Sequence, residues 1–195
     1  MTPQTRKERE RADRRQRIID TARELAESDG WETVTVRRLA DRIEYSQPVL
    51  YSHFAGKRAI VSAVAEQGIA ALSEAMRAAR TAAPTPGAAM ELVARAYLDF
   101  ATANPALYDA MFLMDTDLTF GLDAPKALRD AFAELEALFR PLVAESELGA
   151  YAEVYWSALH GLAALDRGGR LRPELKEQRL AILMRWGGRA PEEGA

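Results

Sequence analysis

Apolar residues recur along this chain at intervals of three and four, and nowhere in the strict alternation of a half-buried strand, so the pattern predicts helices throughout. Ile18, Ile19, Ala22, Leu25 and Ala26 form the first stripe, on a helix from Arg14 to Ser28. Asp29-Gly30 ends it, because glycine adopts the left-handed C-terminal position that other residues resist. Thr35 is placed to cap a short helix, Val36–Arg42, and Ser46 to cap another, Gln47–His53, with Pro48 in a first turn where a missing N–H costs nothing. A long stripe through Ile60, Val64, Ile69, Leu72 and Met76 predicts a helix from Lys57 to Thr81, closed by Ala83-Pro84-Thr85-Pro86-Gly87. Further helices are expected over 88–103, from Pro105 to near Met114, from Pro125 to Glu145, over 149–167 and over 173–187, with 115–124 as a loop. The expectation is an all-α chain of about nine helices. A three-helix domain occupies 14–60 and a larger helical domain 61–188, preceded by a flexible basic arm over 1–13 and followed by a disordered tail over 189–195.

Charge sharpens this division. Residues 1–60 hold 13 Lys and Arg against 10 Asp and Glu, a net of +3, while residues 61–195 hold 13 against 19, a net of −6. Seven of those basic residues and only three acidic ones lie within 1–17. A basic front on an acidic body suits a polyanion partner for the front alone. No cysteine is present, which removes disulfides, thiol catalysis and cysteine-based zinc sites. There are two histidines, far apart in sequence, no Gly-rich phosphate loop and no His-Glu metal spacing, so an enzyme, a cofactor and a metal are not expected. No apolar run is long enough to cross a membrane and no secretory pattern opens the chain, so a cytoplasmic protein is expected.

The stretch 36–53 has the proportions of a helix-turn-helix: two short helices, each apolar on one side, joined by a few residues. A two-turn helix suffices to enter the major groove, with its N-terminal residues facing the bases. Gln47 can offer a donor and an acceptor to an adenine edge, and Pro48 and Val49 can touch a thymine methyl. Ser46, Tyr51, Ser52 and His53 can hydrogen-bond phosphates, which fixes register without reading sequence. Lys57, Thr35 and Arg37 stand at helix starts, where charge and free N–H groups attract phosphate. Leu39, Ile43, Leu50 and Phe54 are expected core, and no second ligand lies at a spacing that would make His53 a metal site.

These residues resemble the tetracycline-repressor (TetR) family of bacterial regulators. The resemblance is carried by Gly30-Trp31, Thr33-Val34-Thr35-Val36-Arg37, Leu39-Ala40 and the run Ser46-Gln47-Pro48-Val49-Leu50-Tyr51-Ser52-His53-Phe54-Ala55-Gly56-Lys57, and it spans residues 15–62. Two positions depart from the family pattern, which often has glycine where this chain has Glu44 in the turn and Pro48 in the recognition helix. A positive φ at Glu44 would carry roughly 1 kcal/mol of strain. The resemblance implies a homodimeric repressor that a small effector releases from a palindromic operator. The alternative is an architectural or protein-recruiting DNA-bound factor without a ligand.

The resemblance also implies that the helical body binds the effector and pairs with a second copy through its last two helices. The helix Tyr151–Asp166 is apolar almost all round, as expected of a helix buried on more than one side. Leu159, His160, Ala163, Ala164, Leu180, Leu183 and Met184 are the candidates for that interface. Trp156-Ser157-Ala158-Leu159-His160-Gly161 resembles the tryptophan-histidine-glycine signature of one C-terminal subfamily, in which His160 either packs or meets ligand. An adaptable apolar pocket is expected from Met76, Tyr97, Phe100, Tyr108, Met111, Phe112, Met114, Phe139, Tyr155 and Trp156, which suits an apolar or aromatic effector.

Overall fold

The computed structural model describes residues 3–119, 121 and 123–187. Among them are nine α-helices and no strand. The helices are α1 (Pro3–Asp29), α2 (Val36–Arg42), α3 (Gln47–Tyr51), α4 (Lys57–Ala82), α5 (Pro86–Ala103), α6 (Pro105–Phe112), α7 (Lys126–Phe139), α8 (Leu148–Arg167) and α9 (Lys176–Gly187), with short 3-10 turns at Trp31–Thr33, Glu145–Glu147 and Pro173–Leu175. Most boundaries fall where capping chemistry puts them. Thr35 Oγ1 accepts the Arg38 N–H at 3.1 Å and opens α2. Gly30, at φ 84°, closes α1, its N–H donating to the Ala26 carbonyl at 3.0 Å.

Two expectations need correction. The segment expected to be a flexible arm is helical from Pro3 onward, so α1 runs 27 residues without a break. The helix expected to reach Glu145 ends at Phe139: Pro141 has no N–H to continue the ladder, and the Leu142 N–H turns back to the Phe139 carbonyl at 2.8 Å. The tail expected over 189–195 lies outside the described residues.

The chain forms two compact units, and their boundary is not the one expected at residue 60. One comprises residues 1–68 and 104–125, the other 69–103 and 126–195. The first unit is built on Ile18, Ile19, Ala22, Leu39, Leu50, Phe54 and Ile60, all buried. It also contains α6, because long-range polar bonds tie α6 to α1. Glu27 accepts the Ala106 and Leu107 N–H groups at 3.2 and 3.1 Å, satisfying orphan donors at the start of α6. The buried Trp31 indole N–H donates to the Ala106 carbonyl at 2.7 Å. Gly68 of α4 lets α6 come close: a Cβ there would sit 2.7 Å from both Leu107 Cδ1 and Met111 Sδ. The loop after α6 is held by Arg58, which pairs with Asp115 and Asp117 and donates to the Thr116 carbonyl, and by Ser62 Oγ, which accepts the Asp117 N–H at 2.8 Å.

The turn between α2 and α3 is a left-handed C-terminal cap. The Tyr45 N–H reaches back to the Ala40 carbonyl at 2.9 Å, the bond that closes such a cap, and Glu44 occupies the left-handed position at φ 57°. It is the only non-glycine residue with positive φ among the described residues. The Arg17 guanidinium steadies the turn from α1, with Nη1 3.3 Å from the Tyr45 hydroxyl.

The second unit packs the remainder of α4 with α5, α7, α8 and α9. Its core includes Leu72, Met76, Met90, Val93, Tyr97, Leu135, Phe139, Tyr155 and Leu159. Arg77 and Arg80 hold Glu134 of α7 from α4, the Arg80 Nη2 at 2.7 Å. Burial divides the expected pairing face on α8 and α9. Leu159, Ala163 and Leu180 are spent on the unit's own core. His160, Leu183 and Met184 are half-buried and Ala164 is exposed. The apolar row that α8 turns outward is instead Val154, Ala158, Gly161 and Leu165, spaced four, three and four apart, with Val154 72% exposed.

Ser73 Oγ on α4 is buried with no hydrogen-bond partner. Replacing it should therefore remove an unpaired polar group and improve helix propensity together. Ser73→Ala is expected to stabilise the protein by about 1–2 kcal/mol, read as a higher midpoint in urea. An unchanged or lower midpoint would show that the hydroxyl is satisfied. Relief of the left-handed strain makes Glu44→Gly stabilising by about 1 kcal/mol, less the extra chain entropy of glycine, and Glu44→Val destabilising. Equal melting temperatures for the three proteins would show that the turn carries no strain.

Candidate nucleic-acid interface

Ten residues between Thr35 and Lys57 were singled out for base or phosphate contact, and the first unit holds all of them. Thr35, Arg37, Ser46, Gln47, Pro48, Tyr51 and Ser52 are exposed; Val49, His53 and Lys57 are half-buried. Leu39, Leu50 and Phe54 are buried beneath them, while Ile43, expected in the core, is half-buried. One side of α3 therefore anchors the helix, and the other presents Gln47, Pro48 and Tyr51 to solvent, the Tyr51 ring 54% exposed.

Phosphate oxygens only accept hydrogen bonds, so each side chain's spare hydrogen decides what it can do. Thr35 Oγ1 accepts the cap bond, which leaves its hydroxyl hydrogen for an outside acceptor. Ser46 stands at the start of α3 with no side-chain cap bond. Arg37 lies 4.0 Å from Asp41, with both side chains more than 70% exposed, a pairing too weak to withdraw the guanidinium. Ser52 is different: its hydroxyl donates to the Val49 carbonyl at 2.7 Å, so its one donor is spent inside the helix. Lys57 Nζ donates to the Trp31 carbonyl, which leaves two of its three donors.

His53 lies close to three cations. Desolvation by burial and the charges of Arg11, Arg14 and Arg15 all hold its pKa below the usual histidine value. It is thus a neutral imidazole at pH 7, with one N–H to donate. The Arg15 guanidinium carbon stands 4.9 Å from the centre of the Phe54 ring, a cation–π contact that packs α1 on the end of α3. These arginines were recognisable from composition as a basic cluster, but an arm without structure gave them no position.

The ten candidate pocket residues divide between the units. Tyr108, Met111, Phe112 and Met114 belong to the first, where the Tyr108 and Phe112 rings lie 4.7 Å apart. Met76, Tyr97, Phe100, Phe139, Tyr155 and Trp156 belong to the second. There the Trp156 indole N–H donates to the Tyr97 hydroxyl at 3.2 Å, and the Phe139 and Tyr155 rings meet edge to face at 5.5 Å. The Tyr155 hydroxyl donates to the Met90 carbonyl, and burial pushes its pKa upward. His160 lies 6.5 Å from Trp156, ring centre to ring centre, and burial lowers its pKa. Two cavities of the second unit are an open groove of about 230 Å³ beside Arg80, Pro84, Pro86 and Pro141, and a void of about 30 Å³ beside Leu98, Leu162 and Leu171. None of the ten candidates lines either one. No helix among the described residues is long and apolar enough to cross a membrane.

Comparison with known proteins matches the chain in two parts. Residues 18–64 match the family model for bacterial regulatory proteins of the tetR family, and residues 90–185 match that for the tetracyclin repressor-like C-terminal domain. The uncharacterized HTH-type transcriptional regulator YobS of Bacillus subtilis (strain 168) is 34% identical over 96 residues, which cover 49% of this chain and 50% of that protein. The tetracycline repressor protein class C of Escherichia coli is 50% identical over 52 residues, 27% of this chain and 24% of that one. The chain thus spans half or less of the length of these two curated relatives. A solved structure of a protein with unknown function from Rhodococcus sp. RHA1 shares the fold, with a TM-score of 0.73 and 23% identity over 90% of this chain and 95% of that one. Since the two family models together account for most of the sequence, one on the helix-turn-helix and one on the helical body, the chain belongs to the tetR family of bacterial regulatory proteins.

Proposed function

We propose that the protein is a sequence-specific DNA-binding transcriptional regulator, acting in the cytoplasm as a homodimeric repressor that a small effector releases from a palindromic operator. The observation that carries this reading is the outer face of α3. Gln47, Pro48 and Val49 supply groups suited to base edges, and Thr35, Arg37, Ser46, Tyr51 and His53 supply donors suited to the flanking phosphates. Two such helices about 34–36 Å apart match successive turns of the major groove. The name of the class C tetracycline repressor supports repression, on a resemblance that covers 27% of this chain. The function requires neither cofactor nor catalytic group.

The dimer rests on the outward apolar row of α8. No Cβ stands at Gly161, and the space within 4 Å of that position is open, so a partner helix has room to approach. The effector reading rests on the second unit's aromatic and methionine side chains and on the unpartnered Ser73 hydroxyl. The Trp156–His160 pair supports the tryptophan-histidine-glycine subfamily, with His160 as a packing residue. A ligand-free, architectural or recruiting factor is the second reading. It draws on the aromatic rings of the second unit, which are largely paired with one another as core: Tyr97 with Trp156 and Phe139 with Tyr155.

Selection of duplexes from a random library by the full-length chain should return a palindrome. Against that duplex Gln47→Ala should lose about 1–3 kcal/mol of discrimination at one base pair of each half-site. Arg37→Gln should weaken every duplex alike and lower the salt slope by about 0.9. The same loss of preference in both variants would contradict the division into reading and gripping residues. Val154→Arg should turn the protein into a monomer in sedimentation and reduce its affinity for the two-half-site duplex far more than for a single half-site. A dimer that survives the substitution would place the interface elsewhere.

A further inference from the structure

The first half of α1 is a helix with no apolar stripe to pack. Residues 5–17 are all exposed except Glu10, which is half-buried, and the core stripe begins only at Ile18. At 1.5 Å per residue this stretch projects about 20 Å beyond the core. A polar helix of that length is marginal in water on its own. The described support is polar: along the helix the Arg6–Glu10 pair at 2.9 Å and the Gln16–Asp20 bond at 2.8 Å, each contributing a few tenths of a kcal/mol, and at its base the Gln16–Gln67 and Arg17–Tyr45 bonds and the Arg15–Phe54 contact. Such a helix calls for a partner, and its charge defines which kind, with seven basic residues against three acidic ones over 1–17.

The orientation of those charges is set by the helical repeat. Lys7, Arg11, Arg14 and Arg15 are spaced four, three and one apart, and continuing the same face leads to Ile18 and Ala22, both fully buried. The row therefore lies on the side of α1 that faces the head. Arg15 confirms the direction by stacking on Phe54, and Arg11 and Arg14 act electrostatically on the His53 ring beside it. Lys7, Arg11 and Arg14 have no ion-pair partner among the described residues. Asp13 stands on another face of the helix, while Glu8 and Glu10 border the row, Glu10 being paired with Arg6.

We propose that this row is a second phosphate-binding element, a helical rail by which Lys7, Arg11 and Arg14 grip the DNA backbone beside the groove that α3 enters. The proposal rests on the reading that α3 binds DNA. It adds affinity without sequence preference, since guanidinium and ammonium groups on phosphates carry no base information. DNA fits the row better than another acidic partner because the row runs up to His53 and Tyr51, the residues assigned to backbone contact at the end of α3.

The test compares the full-length chain with Lys7→Gln/Arg11→Gln/Arg14→Gln, glutamine being a good helix former, and with Arg6→Gln/Arg9→Gln on the opposite face. Two probes are used, the duplex selected by the parent protein and a mixed-sequence duplex of the same length. The triple variant should lower the slope of log K against log salt by about 2–3, equivalent to about a hundredfold weaker binding near 0.15 M salt. The factor should be the same on both probes, and the far-face variant should lose much less. Amide exchange over residues 5–14 should slow on DNA binding in the parent and not in the triple variant. A triple variant with the parent's slope overturns the rail while leaving the α3 reading intact, as does an equal loss per charge from the far face. A loss that depends on the A·T content of the flank also overturns it, by pointing to the minor groove. Failure of the parent to bind either duplex overturns the α3 reading and the rail together.

Discussion

A buried tryptophan must place its single N–H on an acceptor, and in this protein that requirement organises the reading head. Trp31 donates to the Ala106 carbonyl, a residue 75 positions away, while its own carbonyl accepts Lys57 Nζ from the start of α4. Glu27 completes the junction by receiving the two N–H groups that open α6. One indole thus joins α1, α4 and α6. Without that acceptor the indole N–H would be left buried without a partner, and an unmade bond of that kind costs more than a made one contributes. The head is consequently larger than a three-helix domain. The chain crosses between units after residues 68, 103 and 125, and the segment between the last two crossings belongs to the head.

On this frame, the residues proposed to read bases and those proposed to grip phosphates share one small surface. The α2–α3 turn is held in a conformation that suits glycine, yet Glu44 occupies it, closed by the Tyr45–Ala40 bond and steadied by Arg17. The strain is local and fixes how α3 leaves the turn. At the ends of α2 and α3 the hydroxyls then divide by where their hydrogens go. Ser52 turns its hydrogen inward to Val49, whereas Thr35 spends only a lone pair on its cap. Two exposed hydroxyl residues a helix apart therefore differ in what they can offer a phosphate, a distinction that residue type alone does not carry.

Legibility in the sequence followed the range of the interactions. The bounds of α2, with Thr35 as its cap, were readable because cap, stripe and stop all lie within ten residues. The first half of α1 was not, because hydrophobic periodicity reports apolar packing and this half carries no apolar stripe; a helix sustained by polar and cation–π contacts and by the stem it extends leaves none. The place of α6 was hidden for the opposite reason, since Glu27 and Trp31 reach it across more than 70 residues. The α7 stop was signalled by Pro141, and the acidic, helix-favouring run after it obscured the signal. On α8 the difficulty was symmetry: where apolar residues surround a helix, the sequence cannot say which row faces inward. Burial selects Leu159 and Ala163 for the core and leaves Val154 and Leu165 outside.

The same reasoning bears on the aromatic residues of the body. An aromatic or methionine side chain can line a pocket or fill a core, and its type is compatible with both. Here the rings are largely paired off: Tyr97 with Trp156, Phe139 with Tyr155, and Tyr108 with Phe112 in the other unit. The Tyr155 hydroxyl and the Trp156 indole N–H are satisfied within the second unit, so their polar atoms make no demand on a ligand. Ser73 differs in kind. Its hydroxyl is buried in the same unit and unpaired, a cost with no structural return among its neighbours on α4. If an effector enters this unit, Ser73 rather than any of the rings is where unspent hydrogen-bonding capacity awaits a polar group, and an effector that is apolar throughout would leave that cost unrelieved.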